Sequence, residues 1–210
     1  MAGDEGARAR GVTVTRSAVL RSARAALSDP NPRQWTMKEV AAAASVTRVT
    51  VYNQFGSRTA LIEAVLDEVV ARDHMDRLVA ETDNLAPSAA LEAIIATTCR
   101  FWHAERALLR GLFAAAYEDA AIAELLHRRE GWRRDQFRAV LARVGGSLQE
   151  STEESHTADL LTAVTSFTTY DQFGGAAEDP DRAAALLTRL TRCLLTANGR
   201  RSPRGRSPRG

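Results

Sequence analysis

The segment from Trp35 to Leu61, WTMKEVAAAASVTRVTVYNQFGSRTAL, constrains this chain more than any other. It reads as two short helices, a tight turn between them, and the start of a longer third helix. Thr36 stands three residues before Glu39, the spacing of a capping box, in which each side chain satisfies a backbone donor at the other's position. Trp35 and Val40 flank that box at the spacing of a hydrophobic staple. Val40, Ala43 and Ala44 give the first helix an apolar stripe, and small Ala side chains permit close helix crossing. Ser45 and Val46 fit the turn. Thr47 caps the second helix, Gly56 stops it, and Ser57 caps the third.

The second helix carries Arg48, Thr50, Tyr52, Asn53 and Gln54 over barely two turns. So short and polar a helix does not form alone in water. Val46, Val49, Val51 and Phe55 are the side chains expected to hold it down. The remaining side chains suit DNA: Arg forks onto guanine, Asn and Gln pair with adenine, and a Thr methyl touches thymine. A helix-turn-helix sets such a helix in the major groove.

The segment resembles the DNA-binding domain of the TetR family of bacterial transcriptional regulators, whose pattern runs roughly T-x-x-x-I-A-x-x-A-G-V-[ST]-x-x-x-[LFV]-Y-x-[HY]-F-x-[ST]-[KR]-x-x-L. This chain supplies Thr36, Val40, Ala41, Ala44, Val46, Thr47, Val51, Tyr52, Phe55, Ser57, Arg58 and Leu61. It departs at Ser45, where the family usually has Gly, at Val49, where a small residue is common, and at Gln54, where His or Tyr is frequent. The resemblance implies an all-α chain, with an N-terminal three-helix helix-turn-helix domain joined by a long helix to a C-terminal helical bundle. That bundle would bind a ligand and dimerise. It further implies a homodimeric repressor on a palindromic double-stranded operator, released by a small-molecule effector, with no cofactor. Arg48, Thr50 and Asn53 would face base edges, with Val49 among the contacts. Thr36, Thr47, Tyr52 and Arg58 would hold phosphates.

Charge supports a chain that meets DNA with one part only. Residues 1–60 carry nine basic and four acidic residues, a net +5; residues 61–198 carry fourteen and twenty-two, a net −8. Residues 199–210, GRRSPRGRSPRG, add five Arg and form a low-complexity tail expected to be disordered. No run of eighteen apolar residues and no apolar signal segment is present, so the expected location is the cytoplasm, with no membrane partner. Cys99 and Cys193 lie far apart without a CxxC spacing and read as reduced thiols packed as small apolar groups.

The expected domains are a flexible arm over 1–11, a DNA-binding domain over 12–57, a ligand-binding and dimerisation domain over 58–198, and the tail. Arg8, Arg10 and Arg16 can follow a phosphate backbone, reach a minor groove, or lie in solvent. A helix runs from about Thr13 to Leu27 on a stripe of Val19, Leu20, Ala23 and Leu27, ended by Asp29-Pro30-Asn31-Pro32. The helix beginning at Ser57 continues to about Leu78, and Asp83 to Ser88 is a break. Further helices span Ser88–Glu105, Leu108–Tyr117, Ile122–Val144, Ser151–Phe173 and the stretch after Asp179-Pro180. Arg128, Arg129, Arg133, Arg134 and Arg138 read as a solvated helix face.

By the same resemblance, Trp102, Phe113, Tyr117, Trp132 and Phe137 would line the ligand pocket, which suits an apolar or aromatic molecule, with His103 and His127 nearby. Leu160, Val164, Phe167, Leu187, Leu190 and Leu194 would build the dimer as a four-helix bundle. One rival pattern is present. Glu124-x-x-His127 and Glu153-x-x-His156 have the spacing of di-metal helical bundles, with Glu92 and Glu118 as further ligands. A metal-dependent bundle enzyme is therefore the alternative, and a small-molecule binding protein without an operator is a third reading. No His-Glu-x-x-His, phosphate loop, GxSxG or Cys cluster occurs, so no catalytic residue, metal ligand or cofactor is assigned.

Overall fold

All regular structure among the described residues is helical, as expected. The computed structural model describes residues 2–29, 35–73, 75, 77–145 and 152–199. In chain order the helices are α1 (Ala2–Leu27), α2 (Met37–Ala43), α3 (Arg48–Phe55), α4 (Arg58–Arg72), α5 (Leu78–Glu81), α6 (Pro87–Ala104), α7 (Arg106–Ala116), α8 (Ala120–Gly145), α9 (Thr152–Val164), α10 (Phe167–Asp171) and α11 (Pro180–Gly199). A 3-10 helix covers Gly174–Glu178. The chain divides into two units, each drawn from two stretches: Met1–Met75 with Glu105–Arg128, and Asp76–Ala104 with Arg129–Gly210. No helix among the described residues is long and apolar enough to cross a membrane.

In the first unit, α1 starts at Ala2 rather than near Thr13, so the stretch expected to be an arm is helical. Ala, Arg and Glu are good helix formers, and a helix nucleated on the buried stripe propagates through them. That stripe is as expected: Val19, Leu20, Ala23 and Leu27 are all buried. Pro30, Asn31 and Pro32, the expected stop, lie outside the described residues. Helix α4 buries Leu61, Ile62, Val65, Leu66 and Val69 but stops at Arg72, short of Leu78. Its end is turned by Met75, which is buried and donates its backbone N–H to Val70 O at 3.0 Å, so the chain curls inward.

Two features of this unit lie outside any local pattern. A Cβ built on Gly111 of α7 would stand 1.8 Å from the Leu27 carbonyl oxygen at the end of α1, so only glycine allows this approach. Glu105, just before α7, is 1% exposed, and a buried carboxylate requires partners. Arg24 of α1 gives it Nη2 at 2.8 and 2.9 Å, and Arg72 at the end of α4 donates to the same carboxylate.

In the second unit, α6 packs on α11, and α11 on α9. Asp179 Oδ1 accepts from the backbone N–H of Asp181 and Arg182 at 3.0 and 3.2 Å, and Pro180 is the first residue of α11, as read from sequence. The helix expected to run from Ser151 to Phe173 breaks instead after Val164. Thr165 explains the break. Its carbonyl accepts from Trp102 Nε1 at 3.0 Å and Arg133 Nη2 at 2.9 Å, and Ser166 Oγ restarts the chain by accepting from Thr169 N.

Arg133 therefore corrects the reading of α8 as a solvated arginine face. It is buried, its guanidinium 5.2 Å from the Trp102 ring centroid, and it bonds Thr165 Oγ1 and Glu130. Burial lowers its pKa from the ordinary arginine value, and Glu130 opposes that shift. Arg143, near the other end of α8, gathers the carbonyls of Thr82, Asp83 and Leu85, which orders the break between α5 and α6. The two thiols also differ. Cys99 is buried, and desolvation pushes its pKa up to about 12. Cys193 is exposed rather than packed, because it lies about 200° around α11 from the buried Thr191.

Gly111→Ala is expected to destabilise the protein by about 3 kcal/mol, because a backbone oxygen has no rotamer by which to yield. Urea unfolding followed by circular dichroism checks this, and a loss under about 1 kcal/mol contradicts the close approach.

Candidate nucleic-acid interface

The helix-turn-helix is fastened at every junction. Thr36 N donates to Glu39 Oε2 at 2.7 Å and Glu39 N to Thr36 Oγ1 at 3.2 Å, the reciprocal box read from sequence. Trp35 and Val40, its flanking pair, are both buried. In the turn, Ser45 N donates to Ala42 O and Val46 N to Ala41 O. Thr47 Oγ1 accepts from Thr50 N at 3.1 Å and caps α3. Gly56 ends α3 at φ +75°, and Ser57 Oγ caps α4 through Ala60 N at 3.0 Å.

Val51 and Phe55 anchor α3, one turn apart on its inner side. Arg16 of α1 places its guanidinium 4.6 Å from the Phe55 ring centroid, so this arginine covers the anchor. Val49 does not hold the helix down: it is 65% exposed. At 3.6 residues per turn, a position two residues from Val51 lies about 200° around the helix. Val46 is half-buried in the turn.

The outward face of α3 presents Arg48, Val49, Tyr52 and Asn53, all exposed, with Thr50 half-buried. Arg48 lies over the Tyr52 ring, its guanidinium 5.1 Å from the centroid and Nη2 3.3 Å from the hydroxyl. The hydroxyls of Thr47 and Thr50 are 2.8 Å apart and bond each other, which turns Thr50 back toward the cap. Thr36 is exposed, but its hydroxyl bonds Glu39. Six of the eight expected DNA residues thus lie on α3 and its Thr47 cap, and Thr36 caps α2.

Arg58 is the exception. It is half-buried, pairs through Nη1 with Asp119 Oδ2 at 2.9 Å, and stacks 4.6 Å over the Trp35 ring. The two residues border a cleft of about 520 Å³ in the first unit, walled by Ala26, Leu27, Gly111, Ala114 and Ala115. Sequence reasoning missed Asp119 as a partner. Its capping role was legible from its place before a helix, but its ion pair spans 61 residues.

The five aromatic residues expected at a ligand pocket do not behave alike, and none lines that cleft. Phe113 and Tyr117 belong to the first unit, and Trp102, Trp132 and Phe137 to the second. Tyr117, at the C-terminal cap of α7, is 92% exposed, the opposite of an enclosed wall. Trp132 is exposed, and Phe113 is half-buried. Trp102 and Phe137 are buried, and Trp102 spends its polar edge on Thr165. The di-metal pattern fares no better. Glu118, Glu124, His127 and His156 are exposed, Glu92 pairs with Arg192, and the side chain of Glu153 lies outside the described residues. Among the described residues no three His, Cys, Asp or Glu gather as a metal site.

Residues 19–65, which span the end of α1 through the first half of α4, match the family model for bacterial regulatory proteins of the tetR family.
Over these residues the chain is similar to the TetR family.
No curated protein matches it. Solved structures share its fold. A TetR-like transcriptional regulator from Rhodococcus sp. RHA1 has a TM-score of 0.64 at 20% identity, with 87% of this chain and 96% of that one covered. Salmonella enterica GusR has a TM-score of 0.65 at 22% identity, covering 87% and 95%. SmeT, solved as a complex with triclosan, has a TM-score of 0.65 at 19% identity, covering 87% and 90%. The TetR-family segment here differs from the family pattern at Ser45, which adopts φ +55°. An L-residue is strained in that region and glycine is not.

Ser45→Gly is therefore expected to stabilise the domain by about 0.5–1 kcal/mol, the relief of strain outweighing the added chain entropy. Thermal melting checks it; a fall in Tm contradicts the reading of Ser45 as strained.

Proposed function

We propose that this chain is a homodimeric transcriptional repressor that binds a palindromic operator through α3 and releases it on binding a small apolar or aromatic molecule. It acts in the cytoplasm. The observation that carries the reading is a short polar helix anchored by Val51 and Phe55, with Arg48, Val49, Tyr52 and Asn53 turned outward. Arg48 and Asn53 have the forked geometries that read guanine and adenine, and Thr50 offers its methyl to thymine. Thr36, Thr47, Tyr52 and Arg58 hold phosphates. The triclosan complex of SmeT supports a small-molecule effector for a chain of this fold. By linkage, operator DNA must weaken effector binding by the factor with which effector weakens DNA binding, typically about 5- to 150-fold.

Genomic fragments retained by the protein supply the operator. Arg48→Ala is then expected to cost about 1–3 kcal/mol on that operator and relax selectivity at one position, while random duplex is bound as before. Equal weakening on both duplexes contradicts base reading by Arg48. Absence of any sequence-selective footprint would instead favour a binding protein without operator function.

The dimer reading narrows to part of the expected set. Phe167 and Leu187 are buried within the second unit, and Val164 and Leu194 are half-buried. Leu160 of α9 and Leu190 of α11 are 41% and 42% exposed, and Leu186, one turn before Leu190, is exposed as well, which leaves apolar surface for a second copy. Leu160→Glu combined with Leu190→Glu is expected to give folded monomers, because neither side chain fills the core. Sedimentation with a parallel helicity measurement tests this, and a double variant that stays dimeric when dilute rejects the interface.

A further inference from the structure

We infer that Asp119 competes with DNA phosphate for Arg58, so that the Arg58–Asp119 pair is an autoinhibitory contact of the DNA-free protein. The inference rests on the DNA-binding reading above and adds to it a residue that faces no base. Arg58 opens α4 two residues after Gly56 ends α3, so its backbone adjoins the outward helix. Its guanidinium is held by one carboxylate and one ring: Asp119 Oδ2 at 2.9 Å and the Trp35 ring at 4.6 Å.

That holding is incomplete on the arginine side and dispensable on the aspartate side. Arg58 Nε is buried without an acceptor, and so is the indole Nε1 of Trp35 beneath it. A buried donor without an acceptor is unfavourable, so the arrangement leaves Arg58 with something to gain elsewhere. Asp119 loses little by releasing it. Its Oδ1 already accepts from the backbone N–H of Ala121 at 3.0 Å and Ile122 at 3.4 Å, which caps α8 with or without Arg58. The pair is also within reach of solvent, the side chains being 29% and 34% exposed, so it is screened rather than locked. Phosphate offers the guanidinium a fork of acceptors. Phosphate and the Asp119 carboxylate carry the same charge and seek the same cation. Binding of one therefore opposes the other, and whatever holds Asp119 to Arg58 holds DNA affinity down.

The test is fluorescence anisotropy of a labelled random-sequence duplex with the full chain and its variants, each checked by thermal melting. Asp119→Asn keeps the cap, since Asn serves at that position as well as Asp, and removes the charge. It is expected to tighten binding about two- to fivefold, the range that an exposed ion pair represents as an equilibrium factor. Glu118→Gln removes one charge from the adjacent position and is expected to give less than half that gain. In an Arg58→Ala background, Asp119→Asn is expected to give none. Equal gains from Asp119→Asn and Glu118→Gln, or a gain that persists without Arg58, would reduce the effect to general repulsion and overturn the inference. So would wild-type affinity in Asp119→Asn. These outcomes leave DNA binding itself standing; a wild-type chain that binds neither random nor selected duplex overturns both.

Discussion

A carboxylate buried at the base of α7 sets the frame on which the outward helix stands. Glu105 is sealed from water, and charge in that position survives only with partners. The partners come from α1 and α4, through Arg24 and Arg72. Both arginines reach solvent, so the net gain from the pairs is modest. The penalty for orphaning the carboxylate is not: removing one partner of a buried pair costs about 3–5 kcal/mol. Glu105 therefore fixes where α1, α4 and α7 meet, and Gly111 lets the α1 end approach to a distance no side chain tolerates.

The outward helix depends on that frame because it has little of its own. Eight residues with two buried anchors do not make a stable helix in water. Its caps supply the missing backbone partners, Thr47 at the start and Gly56 at the end, while Phe55 reaches back under Arg16. The polar side chains are thereby free to be chosen for what they touch outside the protein. Arg58 differs from them in being half-buried and held by Asp119 and Trp35. The phosphate contact we propose for it would draw on the charge that this contact already uses.

The second unit shows how a polar group redirects a helix. The Thr165 carbonyl would continue α9 if it were bonded along the helix. It is bonded instead by an indole and a guanidinium, and α9 ends. Trp102, Arg133 and Thr165 satisfy one another, with Phe167 edge-on to the indole. A tryptophan and an arginine that looked available for a ligand and for solvent are thus committed to the interior.

The sequence by itself determined what neighbours along the chain decide. The Thr36–Glu39 box, the Thr47 and Ser57 caps, the Asp179-Pro180 start and the buried stripes of α1 and α4 all follow from residues three or four positions apart. The helix-turn-helix and its exposed Arg48 and Asn53 were legible for that reason, since the whole motif is local. Only the tertiary structure decided matters of partner choice. Arg133 and Arg134 are adjacent in sequence, yet one is buried against Trp102 and the other pairs with Asp159 on the surface. Glu105 meets Arg24 across 81 residues, Arg58 meets Asp119 across 61, and Gly111 is distinguished from other glycines by a carbonyl from another helix. Helical periodicity fixes the direction in which a side chain leaves its own helix, but not which helix packs there. Charge, burial and close approach depend on that second fact, so they belonged to the fold.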